Sequence, residues 1–243
     1  MSDKIGPKFQ KQTRTTLEFL KNYSLDYNSK PERYKTYPDA ERFELADFEF
    51  LAPHDFKKTV LERRSIRSYK DKPIDFEHLS YLIWASLAEN NFEKRINFRA
   101  APSAGARYPI EAYLVVHDVK DLPQGLYHYN VKDNVLELLK RDDFRDKLQE
   151  AAQGQKVCHD CQVAFLFSAI FERAVWKYKQ RGYRYVYLDA GHIGHALSLA
   201  ATSVDLGSVM IGAYIDEYMD NLAGLDDEKE SIIYAATVAH PKS

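Results

Sequence analysis

Ile110 to His117 reads IEAYLVVH, and Val163 to Phe171 reads VAFLFSAIF. Both are apolar on both faces, a pattern that suits a strand through the middle of a sheet covered on two sides. Ser231 to Ala239 (SIIYAATVA) is a third such strand. Leu126–Val131 and Val135–Leu139 flank Lys132-Asp133-Asn134 and read as a hairpin. Helices are expected before and between these strands. One follows Asp55, with Phe56, Val60 and Leu61 on one face. A second is N-capped by Asp75 and carries Leu79, Leu82, Ile83 and Leu87 at helical spacing. Asp142 or Asp143 is expected to cap a short helix through Phe144, Leu148 and Ala151. Tyr183 to Leu206 reads as one long helix. Its small residues Ala190, Gly191, Gly194 and Ala201 would admit a neighbouring backbone closely; each glycine costs a helix about 1 kcal/mol, which suggests a packing purpose. Asn90 to Pro109 reads as a polar loop, and Val209 to Gly212 as a short apolar stretch. Because the hairpin breaks any regular βαβ alternation, the fold class is α+β.

At 243 residues the chain can bury about three-quarters of its unfolded surface, so no disulfide or metal staple is needed. Lys and Arg number 34 against 36 Asp and Glu, which leaves no cationic field for a nucleic-acid backbone. No apolar run approaches the roughly 20 residues of a membrane span. The start, MSDKIGPKFQKQTR, lacks the apolar region of a signal peptide. A cytoplasmic globular protein is expected. Residues 1–50 differ from the rest. They hold a short helical pattern at Leu17, Phe19 and Leu20, then a turn-rich stretch from Pro31 to Pro38, and read as an arm lying across residues 51–243 or a partner subunit.

Three segments carry chemistry. Arg63-Arg64-Ser65-Ile66-Arg67 puts three guanidiniums and a hydroxyl within five residues. Forked arginine donors fit phosphate oxygens, and in an extended segment Arg63, Ser65 and Arg67 share one face while Ile66 packs inward. A solvated basic edge is the other reading of the same residues. The loop Ala101 to Pro109 contains Pro102-Ser103-Ala104-Gly105, whose small side chains let backbone amides approach a planar ligand. Leu206 to Gly212 has the same small-residue character.

Cys158 and Cys161 have CxxC spacing but form only one pair, which excludes a four-thiolate zinc site and reads as two ordinary thiols. His192 and His195 lie three apart on a helix without a carboxylate set, so no metal centre is expected. Asp189 is expected to orient a neighbouring histidine or arginine.

Taken in order, Arg63 to Tyr69, Pro102 to Pro109, and the stretch from Trp176-Lys-Tyr to Leu188-Asp-Ala-Gly-His192 resemble the flavin-dependent nitroreductase superfamily. Within it they look most like the SagB-type azoline dehydrogenases. The resemblance implies a mostly antiparallel central sheet flanked by helices, an intertwined homodimer, and FMN in a cleft at the interface. It assigns Arg63, Arg64, Ser65 and Arg67 to the FMN phosphate. Pro102, Ser103, Ala104 and Gly105 would approach the same flavin from the other subunit. Met210, Ile211, Gly212 and Ala213 would lie beside its N5. His240 and Lys242 stand where the family usually places an arginine at the phosphate. Lys177 and Tyr178 match the pair that removes a proton while hydride leaves for the flavin. Neighbours on a helix point about 100° apart, so both reach one substrate only near a helix end; a snorkelling Lys beside a core Tyr is the structural alternative. The function so implied is ping-pong hydride transfer at flavin N5, oxidising an azoline in a peptide. The alternatives are an NAD(P)H-dependent nitro or quinone reductase acting on small molecules, and a flavin-binding subunit without turnover of its own. No nucleic-acid or membrane partner is expected.

Overall fold

The structure is a computed structural model that describes residues 4–91 and 97–242. Its centre is β4 (Ile110–Val116), all seven residues of which are buried. β4 pairs antiparallel with β5 (Gly125–Asn130) on one side and β7 (Val163–Ala169) on the other. β6 (Val135–Lys140) closes the expected hairpin with β5. Beyond β7 lie β9 (Ser231–Ala239) and β8 (Gly207–Ile211), again antiparallel. A short β1 (Glu41–Glu44) pairs with β6, giving the order β1-β6-β5-β4-β7-β9-β8. The segment read as an arm thus supplies an edge strand.

Helices cover both faces, as doubly apolar strands require. On one face α4 (Phe76–Ser86) and α8 (Gly182–Ser203) pack together over Leu114, Phe165 and Phe167. On the other, α5 (Arg145–Ala151), α6 (Lys156–Asp160) and α9 (Asp216–Ala223) cover Val115, Leu126 and Leu166. α7 (Phe171–Tyr178) leads directly into α8 through a 3-10 turn. α3 (Phe56–Glu62) precedes the basic segment, with Asp55 accepting from the Lys58 amide as its cap.

Several local expectations are corrected. The run Val163 to Phe171 is not one strand: it ends at Ala169, Ile170 gives its amide to the Pro109 carbonyl (2.9 Å), and Phe171 opens α7. An apolar run alone cannot mark that switch. The long helix ends at Ser203 rather than Leu206, where the Leu206 amide returns to the Ala201 carbonyl. Asp75 holds the N-cap position of α4, but its carboxylate takes Lys120 Nζ (2.5 Å) instead of a helix amide. Phe144 is the N-cap of α5, and Asp143 accepts from the Arg145 amide one residue further on. The loop read over Asn90 to Pro109 begins as a two-stranded ribbon of β2 (Glu89–Asn91) and β3 (Asn97–Arg99), with residues 92–96 outside the described set. α1 (Ile5–Gln12) also forms, ahead of α2 (Leu17–Lys21). The apolar side chains expected to pack α3 inward, Phe56, Val60 and Leu61, are exposed, and only Thr59 is buried.

A charged chain crosses the second face of the sheet. His128 on β5 sits between Glu111 Oε2 (3.2 Å) on β4 and Glu137 Oε2 (3.0 Å) on β6. Arg173 of α7 reaches Glu111 Oε1 (2.5 Å). Buried charges persist only when paired, and each of these is. Burial pushes Glu111 up, but the His128 hydrogen bond and the Arg173 charge outweigh it and hold the carboxyl at about 2.

A candidate active site at the end of α7

Lys177 and Tyr178 are the last two residues of α7. There the helix stops abruptly, because Lys179 takes φ +48° and ψ −140°, a conformation few L-residues adopt. The two side chains consequently converge on one place. A Cβ built on Gly105 would collide with the Tyr178 hydroxyl and stand 2.7 Å from Lys177 Nζ. Gly105 itself has φ +62°, so glycine is required there both for its conformation and for its missing side chain. Burial pushes the Tyr178 phenol up, which keeps it a hydrogen-bond donor through the neutral range. Tyr178 also lies edge-on to Tyr185 at 4.8 Å.

The loop that presents Gly105 is pinned from two helices. Asp189 of α8 accepts from Ser103 Oγ (2.6 Å) and the Ala104 amide (3.3 Å), and Ser103 Oγ in turn accepts from the Tyr108 amide (2.9 Å). Asp189 therefore anchors the Pro-Ser loop and does not orient a histidine or arginine as its neighbours suggested. Arg173 donates to the Tyr108 carbonyl (3.2 Å), and Arg107 Nε to the Arg173 carbonyl (3.0 Å). Pro102 is exposed, with its carbonyl near His192 Nδ1 (3.2 Å).

The N-terminal segment braces the same helix end from outside. Tyr23 Oη donates to the Lys177 carbonyl, and Trp176 Nε1 donates to the Asp26 carbonyl (2.8 Å). Arg173 Nε completes the brace at the Glu32 carbonyl (2.9 Å). Sequence reasoning missed Tyr23, since nothing local links it to a helix more than a hundred positions away.

The basic segment lies elsewhere. Ser65 forms a parallel bridge with Ser208 of β8, and the Ile66 amide donates to the Ser208 carbonyl (2.9 Å). Ile66 packs onto Gly207, where a Cβ would meet it at 2.9 Å, as the extended reading requires. Arg64 folds back, its Nη1 donating to the carbonyls of Leu61 (3.0 Å) and Arg63 (2.7 Å) at the end of α3. Arg64 and Ile66 line a cleft of about 410 Å³ that His240 also enters. Its imidazole Nε2 lies 3.2 Å from the Pro73 carbonyl, and burial holds its pKa below the ordinary histidine value. The alternation of an extended chain sets Arg63, Ser65 and Arg67 on the other side. Among the described residues, the side chains of Arg63, Ser65, Arg67 and Lys242 make no hydrogen bond or ion pair. The Lys242 amide ties this end to the Ser68 carbonyl (2.9 Å). Two guanidiniums, an ammonium and a hydroxyl without internal partners make a donor set for a phosphomonoester. Along β8, Met210 is half-buried against α8 and Ile211 is buried, while Gly212 and Ala213 form an exposed rim.

Among the described residues no hydrogen bond joins the Pro-Ser loop to the basic segment. α8 touches the Pro-Ser loop at Asp189 and β8, the strand that Ser65 bridges, at Ser198, whose hydroxyl bonds Ser208 Oγ (3.2 Å). That separation is about 14 Å along the helix axis. Cys158 and Cys161 are buried free thiols, pushed up by burial, Cys158 to about 12. No group of three metal-ligating side chains occurs among the described residues, and no helix there is long and apolar enough to cross a membrane.

The nitroreductase family model matches residues 60–240, which include the basic segment, the Pro-Ser loop, Lys177-Tyr178 and β8. The chain belongs to the nitroreductase family. Among its relatives, one of Methanocaldococcus jannaschii bearing the name "Putative nitroreductase MJ1384" is 31% identical, over 73% of this chain and 87% of that one. The trifolitoxin-processing protein TfxB of Rhizobium leguminosarum is 33% identical over 58% of this chain, which spans only 39% of TfxB. By fold, the nitroreductase chain is similar to one in the Escherichia coli microcin synthetase McbBCD complex with truncated pro-MccB17. There the TM-score is 0.65 at 18% identity, covering 98% of this chain and 92% of that one. It is also similar to a Desulfovibrio desulfuricans protein crystallised in complex with FMN, with TM-score 0.56 at 18% identity over 79% and 89%.

Proposed function

We propose that this member of the nitroreductase family is an FMN-dependent dehydrogenase of the SagB type, oxidising an azoline ring in a peptide. The observation that carries the reading is the convergence of Lys177 Nζ and the Tyr178 hydroxyl on Gly105. A helix that ends with the pair is what would let both act on one substrate. The unpartnered Arg63, Ser65, Arg67 and Lys242 fit a flavin phosphate, and the glycine rim at Gly212, where a Cβ would touch only Tyr234 at 4.0 Å, leaves room for a flat ring. When bound, FMN supplies the hydride acceptor. The chain's own share is proton handling: Lys177 takes the proton from the substrate carbon onto Nζ, while Tyr178 donates a hydrogen bond to the ring heteroatom. Tyr23 and Asp189 hold the two sides of this site in place.

The proposal includes a homodimer. In it the Pro-Ser loop of a second copy closes over the flavin whose phosphate the basic segment holds. Phe56, Leu61, Trp84, Tyr187 and Leu188 form exposed apolar surface on α3, α4 and α8, and Gly191 faces open space on α8. Such surface on a helical layer suits association with another copy.

The test begins with the visible spectrum of the purified protein and the mass of any released chromophore. Released FMN, lost from Arg67→Ala, is the expected result. Lys177→Met and Tyr178→Phe should then retain FMN but fail to convert a thiazoline peptide to the thiazole under oxygen. Rapid bleaching by NADPH or NADH with turnover of a nitroaromatic, and no action on the thiazoline, would favour the reductase instead. A flavin-loaded dimer inert toward every donor would point to a subunit without turnover.

A further inference from the structure

Three arginines are buried among the described residues, Arg99, Arg107 and Arg173. A guanidinium keeps its charge at any ordinary pH, so each needs something in place of the water it has lost. Arg173 has the Glu111 carboxylate at 2.5 Å. Arg99 lies in the field of Glu111 and Glu89. Arg107, only 9% exposed, has no such support. Its Nε donates to the Arg173 carbonyl (3.0 Å), and its guanidinium lies 4.7 Å from the centre of the Trp176 ring. Neither Nη1 nor Nη2 has a hydrogen-bond partner among the described residues. After burial, the groups that act most on its charge are the cations Arg173 and Arg33, which oppose it, and the Tyr178 hydroxyl, which favours it. Asp189, the acid at this loop, is taken up by Ser103 Oγ and the Ala104 amide.

The backbone is bent to put Arg107 there. Gly105, Ala106 and Tyr108 have φ of +62°, +52° and +49°, a region that Ala and Tyr rarely occupy. Strain of this kind persists only where the surroundings hold it. Ser103 Oγ accepts from the Tyr108 amide, Arg173 donates to the Tyr108 carbonyl, and the Arg99 amide donates to the Tyr108 hydroxyl (3.2 Å). The guanidinium is thereby fixed against Trp176, the residue before Lys177, on a loop whose Gly105 abuts both Lys177 and Tyr178. With Nε occupied, the terminal nitrogens remain, a fork whose spacing fits the two oxygens of a carboxylate.

We infer that Arg107 binds a carboxylate of the substrate, beside the ring on which Lys177 and Tyr178 act. Such a group supplies the counter-charge that the fold leaves out. Two sources have this chemistry: an acidic side chain flanking the ring, and the free C-terminal carboxylate of a peptide that ends there. The inference rests on the peptide-oxidising reading for the identity of the molecule. The unneutralised guanidinium does not depend on that reading.

The experiment uses the FMN-loaded protein and three synthetic thiazoline peptides. One carries Glu beside the ring and an amidated end. The second carries Gln there and a free C-terminus next to the ring, and the third carries Gln and an amidated end. Binding is read by fluorescence anisotropy of a label at the N-terminus, and oxidation separately by mass. At least one carboxylate peptide should bind about tenfold or more tightly than the neutral one, and which of them does so identifies the source. Arg107→Met should bind all three alike. Equal binding of the three by the parent protein overturns the inference without recourse to any variant. So does an advantage that Arg107→Met keeps. A preference for NADPH over NADH that Arg107→Met loses, with no discrimination among the peptides, assigns the fork to a nucleotide phosphate and also overturns it. Oxidation without carboxylate preference sinks this inference alone. Carboxylate-selective binding without oxidation leaves Arg107 in its role and removes the dehydrogenase reading.

Discussion

Gly105 and Tyr178 approach so closely that any side chain at residue 105 would displace the Tyr178 hydroxyl. The loop and the helix end are thus fitted to each other, and Gly105→Ala should part them. The φ of +62° adds about 1 kcal/mol of strain to the steric clash. Displacing the pair by about 1 Å should cost roughly a hundredfold in turnover. FMN occupancy, measured by absorbance, should fall far less than in Arg67→Ala, because the basic segment is untouched. An Ala variant with full activity would remove Gly105 and its two neighbours from the site.

Tyr23 caps a carbonyl that the end of α7 leaves without a helical partner. Tyr23→Phe should lower stability by about 1 kcal/mol. Its larger effect should be on kcat rather than KM, since Lys177 loses the bond that fixes its backbone. Trp176, tied to Asp26, reports this directly: in a Trp84→Phe background its emission should become easier to quench with acrylamide. An unchanged quenching constant would mean that the segment rests on α7 without bracing it.

The buried chain Glu111–His128–Glu137 predicts a pH profile. Glu111 is held at about 2 against an ordinary 4.5, so its stabilisation is complete above 4.5 and is lost as pH falls toward 2. For His128, burial works against the charge, but hydrogen bonds to Glu111 and Glu137 prevail and raise its pKa above 6.5. Its stabilisation is complete below 6.5 and fades as pH rises through the raised value. The network therefore contributes most between pH 4.5 and 6.5. Melting temperatures across pH should show this plateau. In Glu111→Gln the acid limb should flatten, with a loss of about 3–5 kcal/mol at neutral pH because Arg173 is left buried without its partner.

Cys158 and Cys161 should be silent in the native protein. Both are 1% exposed, and burial keeps the thiols protonated, Cys158 up to about 12. Iodoacetamide at pH 8 should label neither until denaturant is added, when both react. Labelling of the folded protein would mean that this corner opens.

The strands were legible because burial on both faces leaves an unmistakable run, as in Leu114-Val115-Val116. Their limits were less so. Val163 to Phe171 is equally apolar across a strand and a helix start, and only the Ile170 amide bond to Pro109 separates them. Glu111, His128 and Glu137 carried a readable signal, three ionisable residues inside apolar strands, although their mutual pairing depends on register. The site was legible in pieces. Lys177 and Tyr178 could be named, but their convergence depends on the backbone of Lys179, which composition does not reveal. Asp189 was noticed for the wrong partner, since a helix position says nothing about which loop lies opposite. Tyr23 left no trace, because a single tyrosine in a polar segment has no local pattern to betray a distant carbonyl.

Tyr69 donates or accepts at Thr237 Oγ1 (2.8 Å), 168 positions later in the chain, and Ser65 leans on β8. A ribosome therefore delivers the basic segment long before the strands against which it lies. Until β8 and β9 emerge, three arginines hang on a nascent chain without the strands that set their spacing. The proposed capture of a flavin phosphate at this segment must follow synthesis of nearly everything else, so a polypeptide stalled before β8 keeps its central hairpin while its arginines stay unplaced.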